Sequence, residues 1–439
     1  MGVGSASVVD YANTYPGTAS HVNATGSVGD FEVVVDGSGA TTLSLNFQTA
    51  TSLDPRITFT RASSATQYNS VGTLISVGSD VARFDYDPAT LAPKGLLIEE
   101  QRTNLMLYSE DLSTVWNLGT GTVQSNTWTA PTGNLTGDTF TIGSDSGTPA
   151  QSTTITASAT YTLTFFVNKP LTTAAFLRLR FSTAAGSISA FIDASTMSFG
   201  VVQAGVVANY IKQIQNNIYQ VSVSFTYGAT DGGSRSIGIS GVVANISSVP
   251  DTGKNIAIWG IQYELGAFPT SYIPTTSATV TRAADNASMV GSNFSSWYNQ
   301  SEGTVYCTSD SPLTTTTAQM NWYISDGSTN NTMFNRKNTS NLNATAVVSG
   351  GVTQGDITSF STITAYSTVK SASAYKLNDL AISVNGASVG TDLAATIPTV
   401  DRIHLGQNVS NGQILNGHIQ SIKYYPTRLP NGTLQGLTA

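Results

Sequence analysis

A chain of 439 residues is too long for one ordinary core and long enough for two or three domains. Only 10% of its residues are charged while 40% are apolar, which excludes a disordered chain and the charge-laced surface of a helical protein. With a net charge of −7 and 19 Lys and Arg that form no basic cluster, a nucleic-acid partner is not expected.

In chain order, the first residues, MGVGSASVVDYANTYPG, carry neither a basic start nor an apolar run of signal-peptide or membrane-spanning length, so membrane insertion is not expected. Period-two alternation then recurs: Leu43, Leu45 and Phe47; Leu177, Leu179 and Phe181, facing away from Arg178 and Arg180; Val221, Val223 and Phe225; Leu380, Ile382 and Val384. Each run predicts a strand with one face in a core and one in water. Asn385-Gly386, directly after such a run, predicts a hairpin turn. Cys307 is the sole cysteine, excludes an intrachain disulfide, and follows Val305 and Tyr306 as a core residue of a strand. No amphipathic helix longer than about two turns is expected.

The fold class is therefore all-β: two tandem antiparallel β-sandwiches, or jelly rolls, after an extended N-terminal segment. The division is a leader of 1–50, a bridging β segment of 51–103, a first sandwich of 104–274, a linker of 275–285 and a second sandwich of 286–439. The Pro- and Thr-rich stretch Tyr272-Ile273-Pro274-Thr275-Thr276-Ser277 marks the break between sandwiches.

Reactive constellations are scarce. His21, His404 and His418 fall in three different contexts without metal-ligand spacing. Glycoside hydrolysis needs two carboxyl groups at a fixed separation, and none of the six glutamates begins the E-x-D-x-x-E strand pattern of jelly-roll glucanases. Asp85 and Asp87 would share a strand side and could hold calcium, but Pro88 after them favours a turn. No catalytic residue, resident metal or cofactor is expected. Sugar binding would use an aromatic face with polar neighbours: Trp322, Tyr323 and Arg336, near Asp326 and Asn335, or Trp116 and Trp128 in the first sandwich. The competing reading puts these aromatics in the core.

Arg56, Arg61, Arg83 and Arg102 lie near Asp54, Asp85, Asp87, Glu99 and Glu100, a dense charge cluster for this chain. Two readings stand: a salt-bridged collar that fixes module orientation or meets a neighbouring subunit, and a set of exposed ion pairs worth ~0–1 kcal/mol each.

Two stretches carry a resemblance. LDPRITFTRASSAT from Leu53, RFDYDPATLAPKGLLIEEQRTNLMLYSEDLSTVW from Arg83 and WGIQYELGAFPTSYIPTTSATVTRAAD from Trp259 are together similar to a framework of phage tail and head fibre or spike proteins that encloses a carbohydrate-binding-module-like sandwich. From about Gly303, LAISVNGASVG, Asp401-Arg402-Ile403-His404-Leu405-Gly406 and LNGHIQSIKYYPTRLPNGTLQGL resemble a concanavalin A-like, laminin-G-type jelly roll. Such relatives end in a short helix, which Gly432 and Gly436 here would weaken, so an irregular final turn is expected. The resemblance implies a virion protein at the particle surface, a homotrimer anchored to other virion proteins through residues 1–50 and touching a host surface glycan. A head fibre or capsid decoration protein, a structural adaptor and a polysaccharide depolymerase are the alternatives.

Overall fold

The computed structural model describes residues 40–144, 149–313 and 316–439, so most of the expected leader lies outside the described residues. The chain is all-β, and its large antiparallel sheets form sandwiches, as the alternating runs predict.

In the first sandwich, a six-stranded sheet runs in the order Val206–Gln213, Ile218–Thr226, Thr160–Asn168, Asn255–Leu265, Leu135–Thr141, Thr122–Thr129. Its partner is a five-stranded sheet ordered Ala150–Ile155, Gly233–Val242, Phe176–Thr183, Gly186–Asp193, Ser198–Val202. Leu177, Leu179 and Phe181 from one sheet and Val221, Val223 and Phe225 from the other share a single core. Phe181 and Phe225 stack across it at 5.2 Å. Full burial of each such side chain contributes about 1.5–3 kcal/mol, which is what the alternation encodes.

The second sandwich is assembled from both ends of the chain. Leu43–Asn46 pairs with Gly417–Tyr425, and Pro93–Ile98 adds to the other end of that same strand. Thr58–Thr60 pairs with Asn286–Val290 in the facing seven-stranded sheet. Residues 40–50 are thus not leader, and 51–103 do not bridge: they supply strands to a core containing Leu43, Leu45, Phe59, Leu96, Ile98, Cys307 and Ile382. The first sandwich is an insertion in the second. Gly95, at φ 104°, permits the close crossing, because a Cβ there would collide with the Ile419 carbonyl. The reason was present in the sequence: Leu43, Leu45 and Phe47 alternate as a core strand does, and such a strand needs a partner.

The two legs of the insertion, Arg102–Asn104 and Val280–Arg282, are paired to each other, so the linker expected at 275–285 ends in a ladder. Above them lies a buried ionic network. Asp285 accepts from Arg61 Nη1 at 3.1 Å, Arg83 Nη2 at 2.5 Å and the Glu99 amide at 2.8 Å. Arg83 Nη1 also reaches Glu99 Oε2 at 2.7 Å, and Arg282 Nη1 stands 3.4 Å from it. The side chains of Arg61, Arg83 and Asp285 have no solvent exposure. Burial alone would raise the Glu99 carboxyl, but Arg282 and Arg83 hold it well below the carboxylate range. The collar reading therefore describes Arg61, Arg83 and Glu99, whereas Asp54 and Arg56 form a half-buried pair apart from it.

The chain ends in a helix, Asn431–Thr438, where an irregular turn was expected. Leu434 is fully buried with Tyr425, Leu429, Ala372 and Ala381, and the Thr438 hydroxyl contacts Ser383 Oγ at 3.0 Å. Docking of that face outweighs the roughly 1 kcal/mol that each glycine costs. Asn385 and Gly386 take φ of 49° and 72°, with Ala387 N donating to Val384 O, the expected tight turn.

Candidate functional site: a cleft between the sandwiches

A cleft of about 360 Å³ opens where the six-stranded sheet faces the split sandwich. One wall carries Tyr210 and Lys212, both from the strand Val206–Gln213. The other carries Tyr68, Asp85, Lys94, Asp310, Tyr366 and His418. Strand register places the second set: Asp310 ends Glu302–Asp310 directly opposite His418 of Gly417–Tyr425, and Leu97 flanks His418 on the other side.

His418 is held between two carboxylates. Its Nδ1 lies 2.8 Å from Asp310 Oδ1 and its Nε2 lies 3.0 Å from Asp85 Oδ2. Lys94 Nζ is 2.5 Å from the second Asp310 oxygen. Burial opposes the imidazolium, but Asp310 and then Asp85 stabilise it and lift its pKa to about 9. Burial likewise works to raise Asp310, which His418 and Lys94 hold down at about 2. Two imidazole nitrogens with two carboxylate acceptors require both to donate, so the ring is a cation at neutral pH. Lys212 Nζ crosses the cleft to Asp87 Oδ2 at 2.6 Å.

Three tyrosines add apolar surface. Tyr210 and Tyr366 have ring centroids 6.2 Å apart. Tyr366 is 39% exposed and sits at φ 56°, a conformation costly for a bulky residue, with its amide bonded to Ser311 O. The Tyr68 hydroxyl and Gln67 Oε1 are buried without a hydrogen-bond partner, and both residues line the cleft. A cleft with ring faces, paired charges and unpaired acceptors is suited to a polyhydroxylated molecule: carbon-bound hydrogens rest on rings, and hydroxyls exchange with the polar rim.

The expected sugar-binding residues do not converge. Trp322 is 2% exposed, inside the second core beside Ile324, and cannot offer a face to a ligand. Tyr323 points to the opposite side of the sheet, stacked on Phe334 at 5.7 Å and 3% exposed. Arg336 lies over Phe334 and pairs with Asp356 at 2.9 Å. Successive residues of a strand face opposite ways, so adjacent Trp322 and Tyr323 could not have formed one platform. Asn335 is buried in a polar network with Asn321, Thr345 and Ser373, and Asp326 caps its own turn through Ser328. Trp116 and Trp128 are also buried. Asp85 and Asp87 diverge: Asp85 takes the Tyr68 amide and His418, while Asp87 accepts the Ala89 and Thr90 amides of a turn. Among the described residues no group of three His, Cys, Asp or Glu is placed to hold a metal ion. His418 gave no sequence signal, because its partners lie 108 and 333 residues away.

No protein-family model matches the sequence, and no curated protein matches it. Solved structures overlap parts of it. A Ruminococcus gnavus IT-sialidase CBM40 domain bound to alpha2,3 sialyllactose aligns at 13% identity over 34% of this chain and 88% of that one, with a TM-score of 0.29. Mouse laminin alpha1 domains LG4-5 align at 11% identity over 65% and 86%, with a TM-score of 0.22. The CBM22-1-CBM22-2 tandem of Paenibacillus barcinonensis Xyn10C aligns at 9% identity over 73% and 95%, with a TM-score of 0.25. All three likenesses have TM-scores below 0.3.

Proposed function

We propose that this protein is a non-enzymatic fibre or spike subunit of a phage particle that holds a host-surface glycan in the cleft between its sandwiches. The observation that carries the binding reading is the cleft itself, with Tyr210 and Tyr366 beside the Lys212–Asp87 and His418–Asp85 pairs. The particle assignment is supported by the sequence resemblance of the segments from Leu53, Arg83 and Trp259 to the phage fibre framework. Homotrimeric assembly belongs to the same reading, as does anchoring through the N-terminal residues that precede the strand Leu43–Asn46. Binding is favoured over hydrolysis because Asp85 and Asp310 are both engaged by His418, which leaves no free acid and nucleophile pair among them.

The test is a glycan array probed with the full chain and with Tyr210→Ala and Tyr366→Ala. Each truncation is expected to weaken retained glycans by about tenfold, the worth of roughly 1.4 kcal/mol of ring contact. Unchanged binding by both variants would refute the cleft. Reducing ends released from the bound polysaccharide would turn the reading to a depolymerase. Imaging of intact particles tests the assembly reading: trimers projecting from the tail support host attachment, and trimers on the capsid favour decoration.

A further inference from the structure

The outer face of the five-stranded sheet carries two cations without counter-charges. Arg178 and Arg180 alternate with core-directed Leu177, Leu179 and Phe181, so both stand on the same side of the strand Phe176–Thr183. Their Cα atoms are about 7 Å apart at strand rise. Arg56, Arg61, Arg83, Arg282, Arg336 and Arg428 each pair with a carboxylate, whereas Arg178 and Arg180 form no ion pair among the described residues. Arg178 spends only Nε, on Ser189 Oγ at 2.9 Å, and Arg180 Nε is buried without an acceptor.

The carboxylates at the ends of this face are committed elsewhere. Asp193 accepts from the Ser195 and Thr196 amides, and Asp231 from those of Ala184 and Gly228. Burial and then the neighbouring Arg180 lower the Arg178 pKa, the mark of two cations that repel without relief. Arg178 sits between Ser240 and the buried Phe191, and Arg180 lies between Ser189 and Gly238. Ser189, which is buried, accepts from Arg178 through its Oγ.

We propose that this face is an oxyanion site that receives the carboxylate or sulfate of an acidic saccharide, with Arg178 and Arg180 as the two cationic forks. Guanidinium forks match both oxyanions through paired N–H donors, and the two groups share that chemistry. The site lies on a different sheet from the cleft and does not depend on it.

The test titrates the full chain, at low salt, with oligogalacturonate, its methyl ester and a sulfated galactan oligosaccharide. The acid is expected to bind at least about tenfold tighter than the ester, with affinity falling as salt rises. Arg178→Gln with Arg180→Gln removes that preference, Arg178→Lys with Arg180→Lys retains part of it, and Tyr366→Ala leaves it intact. Unfolding midpoints of the variants confirm that they fold, and the Lys pair preserves the charge should the Gln pair fail. A stronger response to the sulfated ligand assigns the oxyanion as sulfate. Equal binding of acid and ester, retained affinity in the Gln pair, or no binding of either anion overturns the proposal.

Discussion

Asp285→Asn removes one charge from the network at the sandwich junction while preserving the shape of the side chain. Asp285 is fully buried, and its two oxygens serve Arg61, Arg83 and the Glu99 amide. Asparagine keeps one acceptor oxygen and turns an N–H₂ toward a donor, leaving Arg61 without a counter-charge and Arg83 with Glu99 alone. Breaking a buried pair in this way costs about 3–5 kcal/mol, against a typical domain stability of roughly 5–15 kcal/mol. With a urea slope of about 3 kcal/mol/M, the transition of the split sandwich should fall by about 1 M or somewhat more. Asp54→Asn is the internal control: the same chemical change at a pair whose side chains are 31% and 23% exposed. It should cost no more than about 1 kcal/mol. Equal, small midpoint shifts for the two variants would refute the reasoning, because the junction network would then behave as solvent-screened pairs.

Two further outcomes follow from single groups. Leu434→Ala empties a fully buried position under the C-terminal helix and should cost about 2–4 kcal/mol, read as a lowered unfolding midpoint; a change under about 1 kcal/mol would mean the helix is undocked in solution. His418, raised from 6.5 to about 9, contributes stability that is fully present below pH 6.5 and is lost as pH rises through about 9, a change of about 3 kcal/mol. Lys337, pushed down to about 7 by burial, titrates over an overlapping range with the opposite sign, so the test is the difference between wild type and His418→Gln from pH 6 to 10. Parallel profiles would show that the imidazolium contributes nothing.

Strand character was legible wherever one face is wet and the other dry, as at Leu177, Leu179 and Phe181, because period-two alternation is a local signal. Strand partnership was not. Nothing near Leu43 or Leu96 announces that both pair with the strand Gly417–Tyr425, more than 300 residues away. The charge cluster around Arg83 was visible, yet its central carboxylate, Asp285, arrives 202 residues later. The sugar-binding expectation failed on strand parity: adjacent Trp322 and Tyr323 project to opposite faces, and only the core-facing indole is the larger ring. The C-terminal helix failed through propensity, since the two glycines are outweighed by the Leu434 contact.

The split of the second sandwich bears on how the cleft works. Tyr210 and Lys212 come from the inserted sandwich, while His418, Asp310 and Tyr366 come from the sandwich that receives it. Cleft width is therefore set by the angle between the two bodies, and that angle is constrained where the insertion leaves and re-joins, at the ladder of Arg102–Asn104 with Val280–Arg282. Apolar contacts alone would hold such a junction without a unique orientation, because they are non-directional. Guanidinium–carboxylate pairs are directional, and at this junction Arg83 and Arg61 bind Asp285 from two sides. The ionic network accordingly has a second consequence beyond stability: loosening it by Asp285→Asn should lower affinity for a ligand that touches both walls, and leave a ligand on the Arg178 face unaffected. A variant that remains folded, loses stability at the junction and still binds the cleft ligand with wild-type affinity would show that the walls are positioned without it.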